Sequence, residues 1–158
     1  MKSLVQKLIK LLIEKKLTVS FAESITCGLA SHQLNITEGT SKIFMGSIVC
    51  YNSKVKTDLL KVKPSLIKKF TAESQEVTDA ITKNLSQLIE ADLYAGITGL
   101  DADGGSESPE KPVGTVFFSI YFKGKLIRKR SKFDGSPLDI KKQACEELYH
   151  MILDEVQK

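Results

Sequence analysis

Apolar residues recur every three or four positions in three long segments of the chain, the spacing of one buried helical face. The first segment is residues 3–16, where Ser3 and Gln6 have the spacing of a capping box. The second follows Ser74 and the third follows Ser136, and both serines are typical N-cap residues. The pattern therefore predicts an N-terminal, a central and a C-terminal amphipathic helix.

Runs rich in β-branched and aromatic residues alternate with these helices and predict strands. The runs are the segment around Val19 and Phe21 and residues 43–51, 92–98, 113–122 and 126–133. The run at 43–51 is apolar enough to predict a buried strand. The last two runs flank Lys123-Gly124-Lys125, which predicts an antiparallel hairpin.

Helices and strands alternate through the first hundred residues, and a hairpin and a helix follow. This order predicts an α/β fold with three layers, α/β/α, around a mixed sheet of about five strands that includes the C-terminal antiparallel hairpin. The length of 158 residues suits a single domain over residues 1–158.

Composition excludes several classes of protein. A 42% hydrophobic share with 27% charged residues is typical of globular rather than disordered chains. No apolar stretch approaches the roughly 20 residues of a membrane span, and no signal-peptide pattern precedes the first helix. We therefore expect a cytoplasmic protein without a membrane partner.

Few residues suit a metal or cofactor site. Cys27, Cys50 and Cys145 have no paired spacing, and the chain contains two histidines. We predict reduced thiols, no metal and no cofactor. The formal charge of +4 favours small anionic ligands only weakly.

The most informative stretch joins the first predicted strand to a helical segment through Ser24. A hydroxyl at such a turn lies close to free backbone N–H groups and to the positive end of a helix dipole, which suits a nucleophile or an anion site. The alternative is that Ser24 and Thr26 only cap the helix.

A nucleophilic serine needs a base, and neither histidine is well placed. The loops after Phe21, Tyr51 and Thr98 follow predicted strands and could meet at one edge of the sheet. We therefore predict that Lys54, just after Tyr51, accepts the Ser24 proton with a pKa lowered by desolvation, and that Tyr51 holds Lys54 or relays the proton.

Four short motifs resemble the CinA C-terminal domain family, the stand-alone form of competence/damage-inducible protein A. They are AESITCG at 22–28, YNSK at 51–54, TG at 98–99 and KPVGTV at 111–116. The motifs occur in the family's order and at about its spacing, and the similarity extends over nearly the whole chain.

The resemblance implies an amidohydrolase like nicotinamide mononucleotide deamidase, which releases ammonia and nicotinate mononucleotide in pyridine nucleotide salvage. It implies Ser24 as nucleophile, Lys54 as base and Tyr51 as the residue that assists proton transfer. It also implies substrate or oxyanion contacts from Thr26, Gly28, Thr98 and Gly99. The implied partner is a small nucleotide substrate; a homo-oligomer is compatible with the sequence.

The chain departs from the family pattern at three places. Cys27 replaces a glycine of the first motif, and Asp101 and Asp103 bring carboxylates into the loop after Gly99. Lys141 stands near the last helix where the family tends to have arginine, which removes a planar anion clamp. Two carboxylates beside a phosphate would oppose its binding.

Three other interpretations follow from these residues. A homologue that binds a ligand or regulates without turnover is favoured by the altered loop. Nucleic-acid binding through Arg128, Lys129 and Arg130 is unlike known patterns, because no aromatic residues alternate with the charges. A calcium site at Asp101 and Asp103 lacks the usual spacing to a glycine.

Overall fold

The computed structural model covers residues 1–158 and contains one five-stranded sheet flanked by helices. The elements, in chain order, are α1 (Lys2–Glu14), β1 (Val19–Glu23), α2 (Leu29–Asn35), β2 (Phe44–Val49), α3 (Ser53–Asp58), α4 (Pro64–Phe70), α5 (Gln75–Leu85), β3 (Leu93–Gly99), β4 (Thr115–Phe122), β5 (Lys125–Lys132) and α6 (Pro137–Gln157). A short 3₁₀ turn, Thr40–Lys42, precedes β2. None of the helices combines the length and the apolar character that crossing a bilayer requires.

The sheet has the strand order β2-β1-β3-β4-β5. β1 runs parallel to both of its neighbours, whereas β3, β4 and β5 are antiparallel in succession. The predicted α/β class, mixed sheet and C-terminal hairpin are thereby confirmed. Because β1, β2 and β3 are parallel, their carboxyl ends lie at one edge, where Glu23 is in register with Val49 and Ile97.

Helices cover both faces of the sheet. On one face, side chains of α1, α2 and α6 join those of β1, β3 and β4 in the larger apolar cluster. On the other face, α5 packs on β3 and β4 over a smaller cluster. Gly96 allows this close approach, because a Cβ atom there would lie 1.9 Å from Thr82 Oγ1. The central strands are therefore buried on both sides, and β1 is buried throughout.

The strand predicted at 43–51 is not buried as expected. β2 pairs only with β1 and forms an edge of the sheet, and Met45 and Val49 are 52% and 43% exposed. An apolar run indicates a strand, but its position at the centre or the edge depends on which strands pair beside it.

The helix starts follow the predicted capping residues in some places only. Ser74 Oγ accepts a hydrogen bond from Val77 N–H, and Ser136 forms a capping box with Asp139, as predicted. The box predicted at Ser3 is wrong, because α1 begins one residue earlier and has no side-chain cap. Local sequence therefore specified the starts of α5 and α6 better than the start of α1.

Most basic side chains of β5 have partners within the chain. Arg128 forms an ion pair with Asp79 at 2.6 Å, and Lys129 forms one with Glu147. Arg130 donates to a backbone carbonyl and lies over an aromatic ring. The positive charge of this strand is therefore largely matched by neighbouring acceptors.

Candidate active site

A cavity of about 220 Å³ opens at the carboxyl edge of the parallel strands. Ser24 and Ile25 line it from the turn after β1, Tyr51 from the segment after β2, and residues 99–105 from the end of β3 and the loop that follows. Glu73, just before α5, completes the lining. The loops after β1, β2 and β3 thus meet at one edge, as the sequence predicted.

Ser24 lines this cavity and lies beside a buried lysine. Its N–H donates to the Ile97 carbonyl, which ties the turn to β3. Its Oγ lies 2.9 Å from Nζ of Lys56, and the two residues are 6% and 0% exposed. The structure therefore brings a hydroxyl and an amine together in a site from which most water is excluded.

Two backbone carbonyls orient the Lys56 amine. Nζ donates to the carbonyl oxygens of Cys50, at 2.5 Å, and Tyr51, at 3.2 Å. A neutral amine has two N–H donors and one lone pair, so these carbonyls can take both donors. The lone pair then faces Ser24 Oγ, the orientation that a base needs.

Burial lowers the pKa of Lys56, because desolvation disfavours the ammonium form. The electrostatic effects of Cys50 and Glu73 oppose this shift but are smaller. A larger fraction of Lys56 is therefore neutral at a given pH than for a lysine in water.

Lys54, the base predicted from the sequence, does not occupy this position. Its side chain is 78% exposed and pairs with Asp58 on the outer face of α3. Residues two apart on a helix point in nearly opposite directions, so Lys54 and Lys56 cannot both face the core. The sequence contained one signal that Lys56 faces the core. Leu60 lies four residues after Lys56, so the two share one side of a helical turn, and both are fully buried.

Tyr51 borders the cavity in a different way from the predicted one. It is 67% exposed, and its phenol forms no hydrogen bond within the chain. Tyr51 contacts Lys56 rather than Lys54, and it does so through its backbone carbonyl. A proton relay through the Tyr51 hydroxyl therefore has no support in this geometry.

The turn after Ser24 is built around the carboxylate of Glu23. This carboxylate is fully buried and accepts hydrogen bonds from backbone N–H groups and hydroxyls. The five donors are Thr26 Oγ1 (2.7 Å), Gly28 N (3.0 Å), Ala30 N (3.1 Å), Ser31 N (2.9 Å) and Ser31 Oγ. Its charge is thus compensated at the start of α2 by donors rather than by a cation.

The Glu23 network explains why two predicted contact residues face away from the cavity. Thr26 and Gly28 do not line it, because both donate to Glu23. Thr26 does not cap α2 either, since Gly28 is the N-cap residue. The Cys27 N–H donates to the Ser24 carbonyl. The N–H groups of Ile25 and Thr26, by contrast, have no acceptor in the chain and follow Ser24 directly.

The two residues predicted at the end of β3 have different positions. Gly99 lines the cavity. Thr98 is fully buried and does not, because its hydroxyl is 2.8 Å from Thr78 Oγ1 of α5. Alternation along the strand places Thr98 on the face covered by α5, so its contribution is to packing.

Glu23→Ala should destabilise the fold by about 3–5 kcal/mol, because it leaves five donors without their acceptor in a buried turn. The free energy of urea unfolding would measure the loss. Glu14→Ala, which removes an exposed carboxylate at the end of α1, is the matched control and should change it little. Equal effects of the two substitutions would show that the Glu23 network is not important for stability.

Lys141 of α6 connects the turn with the loop after β3. Its Nζ donates to the Ile25 carbonyl at 2.5 Å and forms an ion pair with Asp101 at 2.7 Å. The Ile25 carbonyl and the Thr26 N–H belong to one peptide unit and point in opposite directions. Lys141 therefore fixes the orientation of an N–H group beside Ser24.

Comparison with known proteins agrees with the motifs. The sequence profile of the CinA C-terminal domain matches residues 1–156. The CinA-like protein of Petrotoga mobilis is 35% identical over 157 residues, which cover 99% of this chain and 39% of that protein. The CinA-like protein of Dictyoglomus thermophilum is 36% identical over 133 residues, which cover 84% of this chain and 32% of that protein.

The chain thus spans about a third to two fifths of the length of these curated relatives. Among solved structures, a CinA superfamily protein from Enterobacter cloacae is similar with a TM-score of 0.91 and 27% identity, covering 97% of this chain and 90% of that one. With the profile match over almost every residue, these similarities show that the chain belongs to the CinA C-terminal domain family.

Proposed function

We propose that the protein is an amidohydrolase that converts a carboxamide into a carboxylate and ammonia. The observation that carries the proposal is the buried Lys56 Nζ, 2.9 Å from Oγ of Ser24, which lines a cavity. A lysine with a lowered pKa can activate a serine, and the pair needs no metal or cofactor.

In the first half of the reaction, neutral Lys56 takes the proton of Ser24 Oγ while this oxygen attacks the amide carbon. The carbonyl oxygen becomes an oxyanion, which the free N–H groups of Ile25 and Thr26 stabilise. Lys56, now an ammonium, donates its proton to the amide nitrogen. The C–N bond breaks, ammonia leaves, and an acyl-serine ester remains.

In the second half, water enters the position that ammonia has left. Lys56 removes a proton from this water, and the resulting hydroxide attacks the ester carbon. The same two N–H groups stabilise the second oxyanion. When the intermediate collapses, the C–Oγ bond breaks and Lys56 returns its proton to Ser24. The carboxylic acid product loses its proton to solvent and leaves as the carboxylate.

Family membership supports nicotinamide mononucleotide as the first substrate to test. The pyridinium ring of that nucleotide could pack on Tyr51, whose exposed side borders the cavity. The cavity wall also needs a glycine at position 99, because a Cβ there would come within 2.7 Å of the Thr115 carbonyl.

A coupled assay of ammonia release tests the proposal. Nicotinamide mononucleotide, its riboside and simple carboxamides serve as substrates, with heat-denatured protein as the blank. Stoichiometric ammonia and carboxylate from the folded protein are the expected result. Absence of release from every carboxamide, with a folded and monodisperse sample, would overturn the proposal.

The rate should rise with pH because only the neutral form of Lys56 accepts the serine proton. Burial lowers the Lys56 pKa, so the midpoint of kcat/KM should fall below 10.5, the ordinary value for lysine. Below this midpoint the lysine is an ammonium and the rate falls. Lys54→Met should leave the profile unchanged, since Lys54 lies in solvent. A rate that falls as pH rises would contradict Lys56 as the base.

A second candidate is a homologue that binds its ligand without turnover. The observation that favours it is the loop after Gly99, where Asp101 and Asp103 line the cavity. Such a protein would bind a carboxamide at equilibrium and release no ammonia from it. The same assay, combined with calorimetric binding, separates the two candidates.

A further inference from the structure

Glu73 lines the Ser24 cavity but comes from a different part of the chain than the loops that follow the strands. It lies between the end of α4 at Phe70 and the start of α5 at Gln75, and it is partly buried there. Neither the short motifs nor the two halves of the proposed reaction use this residue. The cavity therefore contains a titratable group to which no role has been assigned.

Several contacts hold Glu73 at the cavity wall. Ser106 Oγ, from the loop after β3, donates to Glu73 Oε2 at 2.5 Å. Lys111 Nζ donates to the Glu73 backbone carbonyl at 2.9 Å and to Thr71 Oγ1 at 2.7 Å. Thr71 has a φ of 70°, a conformation that is costly for a β-branched residue and that such contacts maintain. The position of the Glu73 carboxylate is therefore fixed by the tertiary structure.

The Glu73 carboxylate keeps its negative charge in this position. It forms no ion pair, because the amine of Lys111 is bonded to the backbone carbonyl and not to the carboxylate. Its side-chain donor is the Ser106 hydroxyl, which orients a carboxylate without neutralising it. The charge therefore acts on other ionisable groups at the cavity.

One of these groups is Lys56, whose Nζ lies 2.9 Å from Ser24 Oγ in the same site. Burial lowers the pKa of Lys56, and the negative charges of Cys50 and Glu73 oppose this effect, because each favours the ammonium. Burial also raises the pKa of the Cys50 thiol to about 11, so this group is uncharged at neutral pH. Glu73 is then the group whose negative charge acts on the amine.

The other carboxylates near the site are compensated or exposed to water. Glu23 accepts hydrogen bonds from five donors in the turn after β1. Asp101 forms its ion pair with Lys141 at 2.7 Å. Asp103 is exposed, and water and salt screen its charge. Glu73 thus differs from them in being partly buried, fixed in position and without an ion pair.

A buried ammonium is costly unless a negative charge compensates it. We propose that Glu73 is a positioning residue for Lys56: its carboxylate, held at the cavity wall by Ser106, stabilises the ammonium that Lys56 becomes when it takes the Ser24 proton. This inference rests on the proposed function, because it assigns a further residue to the same reaction. Glu73 acts through Lys56 and does not itself exchange a proton with the substrate.

The ionisation of Lys56 can be measured in the protein without substrate. Protein labelled with [ε-¹³C]lysine would be titrated by NMR, and the Lys56 signal would be identified by its loss in Lys56→Met. Glu73→Gln keeps the size of the side chain and an acceptor for Ser106 but removes the charge. The midpoint of the Lys56 titration should therefore move to lower pH by about half a pH unit or more. Glu76→Gln, an exposed carboxylate of α5 outside this cavity, is the matched control and should leave the midpoint unchanged.

The pH profile of kcat/KM for an uncharged carboxamide gives a second readout, which a purely structural role would not change in the same way. A less basic Lys56 is neutral at lower pH but accepts the serine proton less readily. Glu73→Gln should therefore be about twofold faster than the wild type below the midpoint and about twofold slower above it. Loss of folded protein would instead lower the rate at every pH.

Ser106→Ala tests whether the position of the carboxylate matters. It leaves the charge of Glu73 in place but removes the hydroxyl that orients it. The Lys56 midpoint should move in the same direction as in Glu73→Gln, by a smaller amount. A midpoint equal to that of the wild type would show that Ser106 does not hold the carboxylate in the position that acts on Lys56.

The two proposals fail in distinguishable ways. An unchanged Lys56 titration in folded Glu73→Gln, or equal shifts in Glu73→Gln and Glu76→Gln, would overturn the role of Glu73 even if the wild type releases ammonia. Absence of ammonia release, with the Lys56 titration shifted only by Glu73→Gln, would overturn the amidohydrolase and retain the effect of Glu73 on Lys56.

Discussion

Ser24→Ala should lower the rate of ammonia release by at least about 10⁴-fold, because it removes the nucleophile on which both halves of the reaction depend. The hydroxyl is 6% exposed and its only close side-chain partner is Lys56, whose amine keeps the Cys50 and Tyr51 carbonyls as acceptors. The fold should therefore tolerate the substitution. Initial rates in the coupled ammonia assay would measure the effect.

Ser41→Ala is the matched control for this substitution, since Ser41 is exposed and distant in sequence from the cavity residues. It should retain the wild-type rate. Thermal unfolding of both variants would show that a lost rate is not a lost fold. Mass spectrometry offers a second readout, because an acyl adduct should form on the wild type and be absent from Ser24→Ala. A variant that still releases ammonia at the wild-type rate would exclude Ser24 as the nucleophile.

Lys56→Met should lower kcat by about 10³-fold, the usual contribution of a general base. Methionine is apolar and nearly as long as lysine, so it can fill the same buried space without an amine. The desolvation cost of the amine disappears in this variant, but the buried Cys50 carbonyl loses its donor, so the free energy of unfolding should fall by no more than about 1–3 kcal/mol. The kcat of purified variants and their urea unfolding would test both statements.

Lys54→Met provides a control that differs by two positions on the same helix. Lys54 lies in solvent and pairs with Asp58, so its replacement should change kcat less than about twofold. The pair of variants decides directly between the lysine that the motif suggested and the lysine that the structure places at Ser24. Loss of activity in Lys54→Met together with normal activity in Lys56→Met would contradict the assignment of Lys56 as the base.

Local patterns predicted most of the fold because each pattern reflects a physical requirement of one element. The helical period of α1, α5 and α6 and the Gly124 turn between β4 and β5 do not depend on distant residues. The edge position of β2 was missed for the opposite reason. Burial of a strand depends on its neighbours, and β2 has a partner on one side only.

In the candidate site, too, some features follow from the local sequence and others from residues far apart in the chain. Ser24 was predicted because a strand, a turn and a helix follow one another in the local sequence, and parallel strands bring the loops after β1, β2 and β3 to one edge. The sequence pointed to Lys54 because this residue is close to Tyr51 along the chain, but proximity along the chain does not give the direction of a side chain on a helix. Lys56 faces Ser24, and Lys54 faces solvent.

The sequence by itself thus determined the α/β class and the family and pointed to Ser24 as the candidate nucleophile, since these follow from hydrophobic period, turn chemistry and short motifs. Only the tertiary structure decided which lysine is desolvated beside Ser24 and that Glu23 organises the turn. These properties depend on distances between residues far apart in the chain, and burial and hydrogen-bond satisfaction are defined only once the chain is packed.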